Sequence, residues 1–443
     1  MTASPFDSAI YGGLLGDAEI GSHFSDAAEI RAMLRVEGAL AKVQGALGII
    51  PAESADAIAR AAETVAIDPA HLAKGTASDG MAVPALVEAF RAAIGAPGHA
   101  RFVHWGATSQ DIVDTGLLLR LRPVLAILDG RLGQIIASLG QKAEAHRQTV
   151  LAARTRSQMA TPTTLGAKIA VWAAPLLRHR ERLAELRPRL LVVSLAGASG
   201  TLAAMEGRGI ATMEALAAEL GLGAPDVPWH AARDGIAELA GLLALITGSL
   251  GKIGQDLILL SQSEIREVRA GEGGGSSTMP HKSNPVRAEM LVALARLASR
   301  LSGAVQEGLI HAQEREGAAL ALEWLALPQL CLAAGAATGH ALALAETISA
   351  DPARMGANIA ATQDLMLAEA ASFALASHMP RPQAQALVKA ACQRAVAEDR
   401  PLRAVLPEMT DAPLDWDRVF DPAAYTGEAA AFVDRFLARL SRP

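Results

Sequence analysis

Two serines, a lysine and an asparagine stand close together in one short stretch, Gly271-Glu272-Gly273-Gly274-Gly275-Ser276-Ser277-Thr278-Met279-Pro280-His281-Lys282-Ser283-Asn284-Pro285-Val286. Four glycines in five positions free its first half, because glycine has no Cβ to limit φ. The hydroxyls of Ser276 and Ser277 are therefore expected on a mobile segment. Pro280 and Pro285 stiffen the second half and exclude helix between them. Lys282 adds a fixed positive charge there and Asn284 an amide. A hinged hydroxyl joined to stiff anion-binding groups suits a lid over a carboxylate substrate. A plain Gly-Ser linker is the competing reading, but a linker rarely carries Met-Pro-His-Lys-Ser-Asn-Pro between two apolar helical runs. A phosphate-binding loop is excluded, since His281 stands where that pattern needs glycine.

Two other stretches could meet it. In Phe102-Val103-His104-Trp105-Gly106-Ala107-Thr108-Ser109-Gln110-Asp111, Gly106 breaks the chain, and Thr108, Ser109 and Asp111 are helix-start residues. Free N–H groups at a helix start bind anions and the hydroxyls add donors; simple capping is the alternative. In Arg154-Thr155-Arg156-Ser157-Gln158-Met159-Ala160-Thr161-Pro162-Thr163-Thr164, two arginines would ordinarily mark a solvated loop. Pro162 and the apolar run after it point instead to a packed helix start.

The first stretch carries a resemblance. Gly275 to Pro285 matches Gly-Ser-Ser-x-Met-Pro-x-Lys-x-Asn-Pro, the signature of the fumarase/aspartase superfamily. With Thr278, His281 and His-Trp-Gly-Ala-Thr-Ser-Gln-Asp at 104–111, the chain most resembles the 3-carboxy-cis,cis-muconate cycloisomerase branch, which lactonises an intermediate of protocatechuate breakdown (the β-ketoadipate pathway). Adenylosuccinate lyases are next nearest. The resemblance implies an all-α, three-domain fold with a central bundle of long helices, and a homotetramer whose active sites are shared between three subunits. It implies a small polycarboxylate substrate and no cofactor or metal. It assigns Ser276 and Lys282 to catalysis, and His104, Thr108, Ser109, Thr155, Arg156, Gln158, Ser277, Met279 and Asn284 to substrate binding. Two positions depart from the pattern. Arg156 replaces a histidine, and Ser283 stands where close relatives often have arginine, with Arg287 one helical turn on as a candidate replacement.

The implied chemistry is elimination beside a carboxylate, or its reverse. Removing a proton α to a carboxylate gives a dianionic enediolate, so the site needs concentrated positive charge and hydrogen-bond donors. Lys282, Asn284, Thr108 and Ser109 are of the required types. Ser276 would carry the proton, which a serine does only where its surroundings lower its pKa. Arg156 bears on the reaction. A leaving amine must be protonated, which histidine near neutrality can do and arginine cannot. A leaving carboxylate, with an ordinary pKa of roughly 4, departs as a stable anion, and an arginine could orient it through paired hydrogen bonds. Arg156 therefore fits lactonisation better than amine release. The remaining alternatives are another fumarate-releasing lyase of the superfamily and, in a different class, a catalytically silent helical scaffold.

The elements that must position these residues follow from composition. The chain has 443 residues, 51% hydrophobic and 19% charged, with 3% aromatic and a net charge of −6. Alanine and leucine dominate, which favours helix over sheet. No basic block is present, which argues against nucleic acid. Cys331 and Cys392 lie outside any redox or metal spacing and read as buried thiols in a reducing compartment. The N-terminus lacks the pattern of a signal peptide. Serines and glycines break the uncharged run from Leu190 to Met205, so no membrane span is expected and the cytoplasm is the default. Residues 1–25 read as irregular. A helix capped by Asp26 follows, stopped by Gly48 and Pro51, then shorter helices broken near Pro69, Gly75 and Pro84. A long helix should end near Gln148, with others over 165–187 and 203–220. From Ile236, apolar residues recur three and four apart through Leu239, Leu243, Ile246, Leu250, Ile253, Leu257 and Leu260. Such a rod, about 45 Å long, should need other subunits to cover it, and Gly241, Gly248, Gly251 and Gly254 would let neighbours approach. Another apolar run spans Ala288 to Leu327, where Glu314-Arg315-Glu316 and Glu323 read chiefly as salt-bridged helix surface. The expected domains are 1–105, 106–350 (with the signature loop) and 351–443.

Overall fold

The computed structural model describes residues 4–271, 274–275, 279 and 282–441. Helix dominates. In chain order the principal elements are α1 (Asp26–Ala46), α2 (Ala52–Thr64), α3 (Pro69–Asp79), α4 (Val83–Ile94), α5 (Ser109–Ala145), β1 (Val150–Thr155), β2 (Gln158–Thr164), α6 (Leu165–Leu190), α7 (Gly209–Leu220), α8 (Asp234–Leu260), α9 (Val286–Glu307), α10 (Gly317–Thr347), α11 (Pro352–Ala360), α12 (Ala368–Leu375), α13 (Arg381–Glu398) and α14 (Ala429–Leu440). The all-α expectation holds, with a short hairpin added at β1–β2.

The chain packs as two compact units. Unit 1 is built from Met1–Arg131, His179–Gly248 and Ala293–Gly339, and unit 2 from Leu132–Arg178, Ser249–Val292 and His340–Pro443. The division into 1–105, 106–350 and 351–443 is a different cut, made along the chain instead of by compactness.

In unit 1, Met33, Leu34 and Leu40 of α1 are buried with Ile58, Leu86, Phe90 and Ile112. The cap of α1 is Ser25, one residue before the expected Asp26, and its hydroxyl accepts from the N–H of Ala28. Residues 12–22 are not irregular, since Gly12–Leu15 and Ala18–Ser22 form two short helices. Arg131 pairs with Asp17 and Glu19, tying this segment to α5. Pro69 and Pro84 open α3 and α4, where proline's missing N–H costs nothing. Gly75 does not break a helix. It lies inside α3, where a Cβ would come within 2.8 Å of the Cβ of Ala85, so the glycine serves close packing.

In unit 2, Leu367, Leu375, Val388, Leu402 and Phe420 form the apolar centre of the C-terminal helices. Asp351 caps α11, as its placement before Pro352 suggests. At Gly254 a Cβ would fall 2.5 Å from the Ala288 carbonyl, so this glycine does set a close helix approach. Gly248 has nothing within 4 Å.

Three expectations about the long helices change. The long helix expected to end near Gln148 is α5, which opens at Ser109, carries Pro123 inside it and ends at Ala145. The heptad positions of α8, from Ile236 to Leu260, are buried within the single chain, while Leu245 and Leu259 are the exposed leucines of that helix. The run from Ala288 is divided, with α9 ending at Glu307 and α10 starting at Gly317. By length and composition α8 and α10 could each cross a membrane, but 61% and 50% of their apolar windows are buried inside the fold, as in core helices.

Candidate active site

The Thr-Ser segment opens α5, and unit 1 shows how it is held. His104 and Gly106 have φ of +66° and +73°. The second is easy only for glycine, and a Cβ there would also press within 3.2 Å of Met205. This reversal places Thr108 so that its N–H donates to Asp111 Oδ2 at 2.9 Å. Asp111 is fully buried and also accepts the N–H groups of Ala196 and Gly197, at 2.9 and 3.0 Å. His230 Nε2 lies 2.7 Å from its Oδ1. Four partners on one carboxylate satisfy the rule that a buried charge must be fully bonded, and they tie the helix start to the 194–197 loop.

The next turn repeats the theme. Arg233, fully buried, pairs with Asp114 at 2.7 and 3.0 Å and with Glu323 at 2.8 Å. Gln110 bridges Asp114 Oδ2 and the His230 carbonyl. Glu323 therefore does pair, but in the interior and not on a helix surface. Arg315, from the 308–316 connection, donates to Thr108 Oγ1 and to the Ala198 carbonyl, each at 2.6 Å.

His104 faces a buried partner, Glu37, with Nδ1 2.7 Å from Oε1. Burial pulls the imidazole pKa down, but the hydrogen bond and charge of Glu37 outweigh it, so it lies above its ordinary value of 6.5. Glu37 thus holds a proton on His104 more firmly than on an ordinary imidazole, beside the Thr108–Ser109 segment, whose hydroxyls and helix-start N–H groups suit a carboxylate.

Unit 2 holds the other two stretches. The second is not a helix start. β1 and β2 form an antiparallel hairpin in which Thr155 faces Gln158, leaving Arg156 and Ser157 as a two-residue turn. Their φ values of +51° and +65° carry the signs of a type I′ turn. Thr155, Arg156 and Gln158 are exposed at its tip. Arg154 points the other way and makes a two-pronged pair with buried Glu267, both bonds 2.8 Å. So Arg156 is presented to solvent and Arg154 holds the fold.

The signature loop is closed at its neck. Gly274 and Asn284 exchange backbone hydrogen bonds of 2.8 and 2.9 Å, and the N–H of Lys282 donates to the Met279 carbonyl at 3.0 Å. Lys282, Ser283 and Met279 are exposed and Asn284 is half-buried. Ser276, Ser277, Thr278 and His281 lie outside the described residues.

Residues 18–300 match the family model described as Lyase, and residues 364–436 match that of the adenylosuccinate lyase C-terminus. The chain belongs to the fumarase/aspartase superfamily of lyases. It is 45% identical to a 3-carboxy-cis,cis-muconate cycloisomerase of Pseudomonas aeruginosa over 94% of this chain and 93% of that protein. A protein of the same name from Bradyrhizobium diazoefficiens is 40% identical over 97% of each chain. The crystal structure of 3-carboxy-cis,cis-muconate lactonizing enzyme from Pseudomonas putida superposes with a TM-score of 0.93 at 40% identity, covering 98% of this chain and 99% of that one.

In this lyase, His104, Thr108 and Ser109 share one turn of unit 1, while Thr155, Arg156 and Gln158 share one hairpin tip of unit 2. The sequence marks Asp111 only as a helix-start residue and does not single out His230 or Arg233 as supports. Arg315, read from sequence chiefly as salt-bridged helix surface, instead meets Thr108 and the Ala198 carbonyl. Asp111 stood inside the quoted Thr-Ser-Gln-Asp string, but three of its four partners come from segments about 85 to 120 residues away, and nothing in their spacing announces it.

Proposed function

We propose that this chain is a cycloisomerase converting 3-carboxy-cis,cis-muconate to 4-carboxymuconolactone, in protocatechuate breakdown. The observation that carries the reading is near full-length identity of 45% to a cycloisomerase of that name. The substrate would be a tricarboxylate diene. One carboxylate oxygen adds to the double bond, forming the C–O bond of a γ-lactone. The π electron pair shifts to the carbon α to another carboxylate, giving an enediolate. That carbon then takes a proton, and the net change is isomerisation with uptake of one proton into a C–H bond.

In this reading Thr108, Ser109 and Asn284 donate to the enediolate, Lys282 balances its charge, and Ser276 delivers the proton. His104 and Arg156 hold the other carboxylates, with Thr155, Gln158, Ser277 and Met279 lining the remaining surface. The upward shift of the His104 pKa supports its part, because it favours the protonated imidazole, the form that attracts an anion beside helix-start donors. Arg156 on an exposed tip is compatible with service to a site completed by another subunit. We infer a homotetramer with sites shared between three subunits. Leu245, Leu259 and Leu325, 52%, 44% and 66% exposed on long helices, support burial against other copies. A cytoplasmic location fits an enzyme of this kind.

The test is spectrophotometric loss of the conjugated diene. Consumption of carboxymuconate with formation of the lactone is expected. Cleavage of adenylosuccinate with no diene loss would refute the reading, and inertness toward both would favour a scaffold.

A further inference from the structure

The connection that brings Arg315 to Thr108 also holds His311. Both ring nitrogens of His311 are buried, and neither has a hydrogen-bond partner among the described residues. Three other histidines of unit 1 differ. His99 bonds Ser54, His104 bonds Glu37, and His230 bonds Asp111. A neutral imidazole carries one donor and one acceptor, and burying both unpaired is unfavourable unless something else meets them. Such an exception calls for an explanation, and the surroundings offer one.

The connection is locally braced. Glu316 Oε2 accepts the N–H of Ala312 at 2.7 Å, and Gln313 takes a φ of +55° to make the turn. His311 is thus held by a folded segment. The charges acting on it come from Arg233, Glu323 and Asp114, the ionic network that backs the start of α5, and from Glu316 of its own connection. Burial first, and then Arg233, lower its pKa below 6.5, so it is neutral at pH 7. The imidazole therefore sits among the supports of the Thr108–Ser109 segment as an uncharged group with its hydrogen-bonding capacity unused.

We propose that His311 is a substrate-positioning residue, whose ring N–H donates to an oxygen of the bound polycarboxylate. This rests on the reading of Thr108, which Arg315 contacts, as part of a carboxylate site. A neutral donor there adds direction without another charge to desolvate, complementing Arg315. The unfavourable burial of the free side chain is relieved when substrate supplies an acceptor, so the residue trades stability of the empty fold for binding.

That trade gives the experiment. Wild type, His311→Leu and His311→Asn are titrated calorimetrically with propane-1,2,3-tricarboxylate, a saturated tricarboxylate probe, and melted without it. His311→Leu should bind the probe about tenfold more weakly, with a Tm equal to or above that of wild type. His311→Asn, which keeps an N–H donor, should recover most of the affinity. Equal affinity in wild type and His311→Leu, or a Leu variant whose Tm falls together with its affinity, overturns the proposal, since a packing histidine would behave in one of those ways. The same variants in the diene assay should show the loss in KM more than in kcat. If wild type binds the probe but leaves the diene untouched, the reaction assignment fails while the role of His311 stands.

Discussion

Arg315 and Thr108 are 207 positions apart, yet the guanidinium meets the Thr108 hydroxyl at 2.6 Å and uses a second N–H on the Ala198 carbonyl. The contact fixes a hydroxyl at the helix start and sets a permanent charge beside it. Charge-assisted hydrogen bonds contribute about 1.5–3 kcal/mol. Arg315→Ala should therefore lower kcat/KM for the diene by roughly tenfold to a hundredfold, and Arg315→Lys, lacking the fork, should recover only part. Steady-state kinetics of the two variants checks this, and unchanged kcat/KM in the alanine variant would detach Arg315 from the site.

Asp111 is predicted to be the most sensitive support. Asp111→Ala strands the N–H groups of Thr108, Ala196 and Gly197 and removes the partner of His230. Loss of one partner of a buried ionic cluster costs about 3–5 kcal/mol. Urea unfolding should show a shift of this size, together with loss of activity. A shift below about 1 kcal/mol would mean the network is not energetically central.

The His104–Glu37 pair should leave a pH signature. The folded pKa of His104 lies above its ordinary 6.5. Its stabilising contribution is therefore complete below about pH 6.5 and is lost as pH rises through the higher folded value. Glu37→Gln removes the anion that holds the proton. The stability gap between wild type and Glu37→Gln, measured by urea unfolding, should be wider near pH 6 than near pH 9. A gap that widens with pH contradicts the assignment.

The hairpin tip offers a separation of conformation from chemistry. Arg156 and Ser157 both adopt φ values that L side chains resist. Ser157→Gly should relieve about 1 kcal/mol of strain and raise Tm slightly while leaving turnover intact. Arg156→Asn keeps a residue that tolerates this turn but removes the cation, so it should raise KM for the diene. If Arg156→Asn is kinetically silent, Arg156 serves the turn alone.

Ser276→Ala should abolish turnover and leave the oligomer size unchanged by light scattering. Near-normal activity in that variant would refute Ser276 as the proton carrier.

The long helices, the signature loop and the Thr-Ser helix start were legible because each is written in local residue types. Periodicity at three and four marks a helix wherever it packs, and Gly274 and Pro285 delimit the loop whatever surrounds it. The hairpin was missed because its turn lacks the usual Asn-Gly; Arg156 and Ser157 enter the left-handed region against their own preference, under pairing that spans β1 and β2. The cap at Ser25 was misplaced by one residue, a distance that local pattern does not resolve.

The sequence by itself determined that the chain is helical, that it carries the motifs of a carboxylate lyase, and which side chains could do the chemistry. Only the tertiary structure decided that Asp111 gathers four donors, that Arg233 joins Asp114 to Glu323, that Arg315 reaches Thr108, and that Arg154 is structural where Arg156 is exposed. The physical reason is range. Backbone preferences and apolar periodicity act over a few residues and can be read along the chain. A buried charge must find its partners wherever folding delivers them, and that pairing is written in space instead of in spacing.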